Sequence, residues 1–152
     1  MKYNVEYHIA LAAKSYCETA LDLGDFANCP VVTWFDPMAV DDANRVVCIC
    51  QSAASSPTAP GNFTAKIEIG VKTQWAQPSL ESDMGTHFDR VNQVRDIFNA
   101  TQEDLIASLT AACPVGLAVT YINQDREYST EVNEGNYYSA ISITVHCHAT
   151  TE

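Results

Sequence analysis

Two short clusters contain the residues of this sequence whose types and spacing could bind a metal. Cys48 and Cys50 are separated by one residue, and His146 and His148 flank Cys147. Alternate residues of a strand share a face, so the two strands together could offer a tetrahedral zinc set. However, Cys-x-Cys lacks the knuckle turn of zinc sites. Cys147 is expected to face inward, so His146 and His148 on either side of it should face the opposite way. Strand cysteines and exposed histidines are therefore the preferred interpretation, and neither a metal nor a cofactor is predicted.

Two further residues are of types that act in nucleophilic or acid–base catalysis. Cys29 lies in a turn-rich segment before Pro30, outside the apolar stretches that hold most of the other cysteines. A catalytic thiol needs an adjacent imidazole or another group that activates it, and no such group is indicated near Cys29. His87 precedes Phe88 at the start of a helical pattern, which favours a partly buried helix residue over a catalytic one.

Paired carboxylates could bind calcium or act as an acid and a base. The pair Asp41-Asp42 marks an exposed turn, and Glu131 and Glu134 lie in a polar, acid-rich stretch. The alternating Asp/Asn loop with a final bidentate Glu that binds calcium is absent. With six glycines spread over the chain, no phosphate-binding loop is present either. The absence of a catalytic motif therefore argues against an enzyme.

Charge and length restrict the class of protein. The 152 residues predict a single domain, 1–152, and the net charge is −11 at pH 7, from eight basic and nineteen acidic residues. This balance argues against tight binding of nucleic acid or of anionic membranes, but not against a protein past which DNA slides. No apolar signal segment follows Met1, and no apolar run is long enough to span a membrane. A cytosolic protein with reduced thiols is expected.

Hydrophobic periodicity predicts an α+β fold. The expected elements are a helix over 5–21, a short strand or loop at Val31–Phe35, strands over 45–53 and 63–74, helices over 81–99 and 101–112, and strands over 116–123 and 137–148. A flexible connection is expected at 54–62, and 124–136 is expected to be a long loop or a projecting hairpin tip. The simplest architecture is a four-stranded, mainly antiparallel sheet with the helices packed on one face.

The alternation of apolar residues also predicts the core. The side chains expected to be buried are those of Ile67, Ile69, Val71, Phe88, Val91, Val94, Phe98, Leu117, Val119, Ile141, Ile143 and Val145.

The order of these elements is similar to that of a known family. The run GNFTAKIEIGVKTQ, followed by HFDRVNQVRDIF, comes after an Ala/Leu-rich helix, an irregular segment, a strand and a Pro/Gly/Ser loop, and two strands around a long stretch end the chain. This pattern resembles the tail-terminator and tail-completion proteins of long-tailed bacteriophages. The resemblance covers most of the chain and rests on pattern, without invariant chemical residues. The cysteine-rich middle and the extra helix at 101–112 depart from it.

The resemblance implies a structural virion protein that is not an enzyme. Members form rings, typically hexamers, that cap the head-proximal end of the tail tube, contact the neck and connector proteins, and let DNA pass without specific binding. The expected location is the virion, after assembly in the host cytoplasm. Two alternatives stay open: another neck protein, such as a head-closure or connector protein, and a small cytosolic enzyme or ligand-binding domain. Neighbouring genes, or rings in electron micrographs, would separate these alternatives.

Residues outside the periodic segments are the candidates for partner contacts. They are Trp34, Trp75, Asp41, Asp42, Asp125, Glu127, Glu131 and Glu134. Tryptophans beside turns are enriched at interfaces, although they also pack loops onto their own domain. Acidic residues in loops could face a channel and repel DNA, or they could only keep the protein soluble.

Overall fold

The computed structural model describes residues 4–22, 24–36, 44–74 and 80–150, without the side chains of 80, 81 and 124–127. It contains three helices, α1 (Val5–Ala20), α2 (Leu80–Ile97) and α3 (Gln102–Ala111). Its strands are β1 (Val31–Thr33), β2 (Arg45–Ser55), β3 (Asn62–Gln74), β4 (Leu117–Asn133) and β5 (Asn136–Ala149). None of the helices in the described ranges has both the length and the apolarity needed to cross a bilayer.

The five strands form one sheet in the order β1-β2-β3-β5-β4. The α+β class is confirmed, but the expected number of four strands is wrong. The fifth strand is the three-residue β1, which pairs parallel to β2 through Val31 with Val46. All other pairs are antiparallel. The short apolar piece at Val31–Thr33 was ambiguous because three residues are too few to establish a period.

One hydrophobic core joins all three helices to the same face of the sheet. Cys48 of β2 pairs with Ile69 of β3, which pairs in turn with Ile141 of β5, and all three side chains are buried on this face. We call it the inner face and the opposite one the outer face. The prediction of helices on one side of a sheet is confirmed.

Side-chain caps mark the N-terminal ends of helices α1 and α3. The Asn4 carboxamide accepts a hydrogen bond from Tyr7 N–H (2.9 Å), and Thr101 Oγ1 accepts one from Asp104 N–H (3.3 Å). Each cap satisfies a backbone donor that has no partner within its helix. The predicted starts of α1 and α3 are therefore correct to within a residue.

Helix α2 buries a slightly different stripe from the one expected. Val91, Val94 and Phe98 are buried, as predicted, but Phe88 is 39% exposed. The core position belongs to the neighbouring His87, which is fully buried. A histidine tolerates this site because both of its ring nitrogens find hydroxyl partners there. The Phe88 ring then packs edge-on against the imidazole, 5.1 Å away.

Strands β4 and β5 form a hairpin that replaces most of the loop expected at 124–136. Strand β4 continues to Asn133, and a two-residue turn at Glu134–Gly135 leads into β5. Gly135 adopts φ 92°, a conformation that favours glycine, so it fits this tight turn. The prediction of a loop was wrong, whereas the alternative of a hairpin tip was right in kind. The connection expected at 54–62 is shorter, because β2 ends at Ser55 and β3 starts at Asn62.

Candidate interaction surfaces

The sheet separates the cysteine and histidine clusters that could have formed a metal site. Cys48 and Cys50 are buried on the inner face. His146 and His148 lie on the outer face, where their Nδ1 atoms meet polar side chains of β3 at 3.2 Å and 2.7 Å. Within the described ranges, no group of three or more His, Cys, Asp or Glu residues is placed to hold a metal ion.

Burial makes the thiols of Cys29, Cys50 and Cys147 poor nucleophiles. It raises the pKa of Cys50 to about 11 and that of Cys147 to about 12. It also raises the pKa of Cys29 to about 11, although the positive charges of Arg90 and Arg45 oppose the shift. Because the thiolate is the reactive form, Cys29 has no sign of activation at neutral pH.

A buried chain of side-chain hydrogen bonds runs from β3 to β4 through His87. Thr73 Oγ1 lies 2.7 Å from His87 Nδ1, and Ser139 Oγ lies 2.8 Å from His87 Nε2. Ser139 Oγ is in turn 2.8 Å from Thr130 Oγ1. Burial, and secondarily the charge of Arg90, lowers the pKa of His87 to about 4. The imidazole is therefore neutral at pH 7, and this His87 relay fastens α2 to the three strands.

Two surface clefts lie apart from the relay. A cleft of about 320 Å³ between α1 and α3 is lined by Ser15, Tyr16, Thr19, Ala20, Ser108, Ala111 and Ala112. A cleft of about 390 Å³ beside α2 is lined by Asp25, Thr86, Asp89, Arg90, Asn92 and Gln93. Neither lining contains a histidine or a cysteine, so neither cleft joins a nucleophile to the imidazole of His87.

The outer face carries a polar arrangement across three strands. Tyr138 donates a hydrogen bond of 2.6 Å to Glu68, and Gln51 donates one of 3.0 Å to the same carboxylate. The Tyr138 ring covers Gly70, where a Cβ would overlap the phenol. Burial and the bond to Glu68 hold the pKa of Tyr138 well above its usual value. These contacts link β2, β3 and β5 on the outer face, on which none of the three described helices packs.

The first part of β4, Leu117–Asn123, is an edge that α3 covers; we call it the proximal half. Thr110 Oγ1 accepts a hydrogen bond from Val119 N–H (3.1 Å). The Gln102 side chain accepts from Ile122 N–H (3.1 Å) and donates to Ile122 O. Side chains of α3 thus satisfy backbone groups that point away from the sheet.

The last part of β4, Tyr128–Asn133, is the distal half, and its side chains are exposed. Tyr128 is 47% exposed and Val132 is 66% exposed. The Arg95 guanidinium lies 3.8 Å from the centre of the Tyr128 ring, which fixes that ring against α2. The distal half pairs with β5 over six consecutive residues without a bulge.

An aromatic cluster lies at the β1 end of the sheet. Phe35 stacks on Tyr7 of α1 with ring centres 5.3 Å apart, and both are nearly half exposed. Trp34 contacts Phe35 edge-on and packs against the core, so it is half-buried. Trp34 therefore packs its loop against the core, whereas Tyr7 and Phe35 provide the exposed surface.

The predicted acidic contacts are placed only in part. Glu131 and Glu134 are exposed at the far end of the hairpin, but Glu131 lies in β4 and not in a loop. The backbones of Asp125 and Glu127 also belong to β4, so their placement in a loop was wrong. Three of the predicted contact residues lie outside the described part of the chain: Asp41, Asp42 and Trp75. The side chains of Asp125 and Glu127 are also outside it.

Some of the important residues were not found from the sequence. The alternation of Tyr128, Thr130 and Val132 before Glu134–Gly135 is a strand-and-turn signal that the acidic composition obscured. Gln102 and Thr110 give no such signal, because their role exists only once α3 lies beside β4.

No family model matches the sequence, and no curated protein matches it.

Proposed function

We propose that this chain is a ring-forming virion protein of a long-tailed bacteriophage, a tail terminator or tail-completion protein. In that role it closes the head-proximal end of the tail tube and links it to the neck. The resemblance that supports this rests on the order of elements, and the described elements follow one another as α1, β1, β2, β3, α2, α3 and the hairpin of β4 and β5. Helix α3 is the element that departs from the family pattern.

The observation that carries the proposal is a pair of different exposed surfaces at opposite ends of one sheet. The β1 end presents the rings of Tyr7 and Phe35, and the β4 end presents Tyr128 and Val132. A closed ring needs two unlike surfaces on each subunit, because its contacts run head to tail. Exposed aromatic residues, which both surfaces contain, are typical of the centres of such contacts.

The charge of the chain agrees with a ring through which a genome passes. The net charge is −11, and Glu131 and Glu134 are exposed at the hairpin end. Carboxylates lining a narrow channel repel phosphates over a Debye length of about 8 Å at physiological salt. DNA would therefore pass without adhering.

Removing the gene from the virus that encodes this protein tests the proposal. We expect tails of irregular length and heads without tails in electron micrographs, with both defects corrected by a plasmid copy. Tails of normal length that fail to join heads would instead indicate a head-closure or connector protein. Normal particles would contradict a role in the virion.

A further inference from the structure

The directions of backbone groups along β4 follow from its hairpin register. Asn133 pairs with Asn136 across a two-residue turn, and this closing pair is a hydrogen-bonded one. Hydrogen-bonded and non-hydrogen-bonded pairs alternate along an antiparallel ladder. Val132, Thr130 and Tyr128 are therefore in non-hydrogen-bonded pairs with β5. Their N–H and C=O groups point out of the sheet, away from β5.

These outward groups have no partner in the described part of the chain. In the proximal half, Thr110 and Gln102 satisfy the equivalent groups of Val119 and Ile122. No comparable hydrogen bond reaches the outward groups of the distal half from any described residue. The same edge strand is thus capped along one half and open along the other.

The distal half has few of the features that keep edge strands of monomers apart. Such edges are protected by charged side chains, above all lysine, by proline, by a bulge or by very short length. Residues 128–133 read YSTEVN, with Glu131 as their single charged residue and no lysine or proline, and they pair continuously. Exposed Tyr128 and Val132 add apolar area beside the open backbone.

We propose that the distal half of β4 binds a strand from a second copy of this chain, so that the sheet continues across the subunit boundary. The identity of this partner rests on the proposed ring. The partner strand is the β1 edge, Val31–Thr33, which ends the sheet on its other side and offers the outward backbone groups of Val31 and the N–H of Thr33. The Thr33 carbonyl already accepts a hydrogen bond from Asp36 N–H (3.1 Å). The exposed Phe35 beside β1 then meets the apolar side chains of the distal half.

Two arguments favour this head-to-tail pairing over contact between two β4 edges. Two identical edges would form a closed two-fold dimer, which does not lead to a ring. They would also bring the exposed Glu131 carboxylates of both copies towards each other, and like charges opposite each other destabilise a strand pair.

Backbone and side-chain variants at Val132 test the proposal by native mass spectrometry. Val132→Pro removes an outward N–H without removing a bond to β5, and Val132→Lys adds the charge that natural edges use. Val115→Lys is the matched control, because Val115 is 96% exposed in the turn before β4. We expect both Val132 variants to weaken self-association by about tenfold or more, and the control to associate like the unmodified protein.

Hydrogen exchange of the unmodified protein provides a measurement that does not depend on the variants folding. Above the association concentration, at least one of the amides of Tyr128, Thr130 and Val132 should exchange about tenfold or more slowly than in the dilute monomer, because a three-residue strand can reach only part of the distal half. A ring whose three amides exchange at the monomer rate would overturn strand addition and leave the proposed function standing. A protein that stays monomeric at all concentrations would overturn strand addition as well. Slowed exchange, with normal tails when the gene is absent, would support strand addition and contradict the proposed function.

Discussion

The two halves of β4 belong to one strand but have opposite surroundings. The proximal half is held by α3, and its Leu117, Val119 and Ile122 side chains are buried. The distal half has exposed Tyr128 and Val132 and no cap on its outward backbone. An irregularity between Gln124 and Tyr128 separates the two halves. Since a bulge changes the direction and twist of a strand, one long strand can complete the core at one end and offer an edge at the other.

The largest expected effect comes from truncating matched apolar residues in the two halves. Ile122→Ala should lower the free energy of unfolding by about 2–5 kcal/mol, because it removes buried methyl groups and leaves a cavity. Val132→Ala should change it by less than about 0.5 kcal/mol, because that side chain is mostly in solvent. Urea unfolding of dilute monomers measures both values. Equal losses in the two variants would contradict the difference between the halves.

A smaller effect on the free energy of unfolding is expected from the His87 relay, which links Thr130 of the distal half to helix α2. The folded-state pKa of His87 is about 4, below its usual 6.5. The unfolded chain therefore binds the proton more readily, so this stabilisation is complete above pH 6.5 and is lost as the pH falls towards 4. The loss should amount to at most about 3 kcal/mol.

The pH dependence of unfolding for variants checks this assignment. His87→Leu should remove this component of the dependence between pH 6.5 and 4. His148→Gln should keep it, because His148 is exposed on the outer face. An unchanged pH profile in His87→Leu would show that other groups cause the acid sensitivity.

The turn at 134–135, which joins the distal half to β5, should contribute less to the free energy of unfolding. Gly135→Ala forces alanine into φ 92° and should cost about 1–2 kcal/mol. Gly85→Ala is the control, because Gly85 lies inside α2 with open space around it. That substitution should stabilise the protein by up to about 1 kcal/mol. Thermal unfolding compares them, and opposite signs are the expected result.

The smallest effect on stability is expected for the charges at the hairpin end. Changing Glu131 and Glu134 to lysine should alter the free energy of unfolding by about 0.5 kcal/mol or less, because both side chains are exposed. If they face the channel, genome ejection should be slower. Unchanged ejection from particles that contain the variant ring would leave solubility as their role.

The sequence predicts the elements that have a clear period and misses those determined by tertiary contacts. The alternation of β3 and β5 correctly assigns their buried faces, as Ile67 and Ile143 show. Phe88 was placed wrongly because a buried His87 depends on hydroxyls from β3 and β5, which a helical pattern does not reveal. The distal half was predicted as a long loop or a hairpin tip, and not as a strand, because its outer-face residues are polar. Its free edge could not be predicted, since it depends on where α3 ends relative to β4.

Electron microscopy of the purified, unmodified protein, with native mass spectrometry of the same sample, tests the central claim most directly. The account predicts closed rings with a central opening, because each subunit has unlike contact surfaces at the two ends of its sheet. The family resemblance adds the expectation of about six subunits in each ring. A protein that remains monomeric, or that forms only two-fold dimers, at concentrations where virion proteins assemble would contradict it.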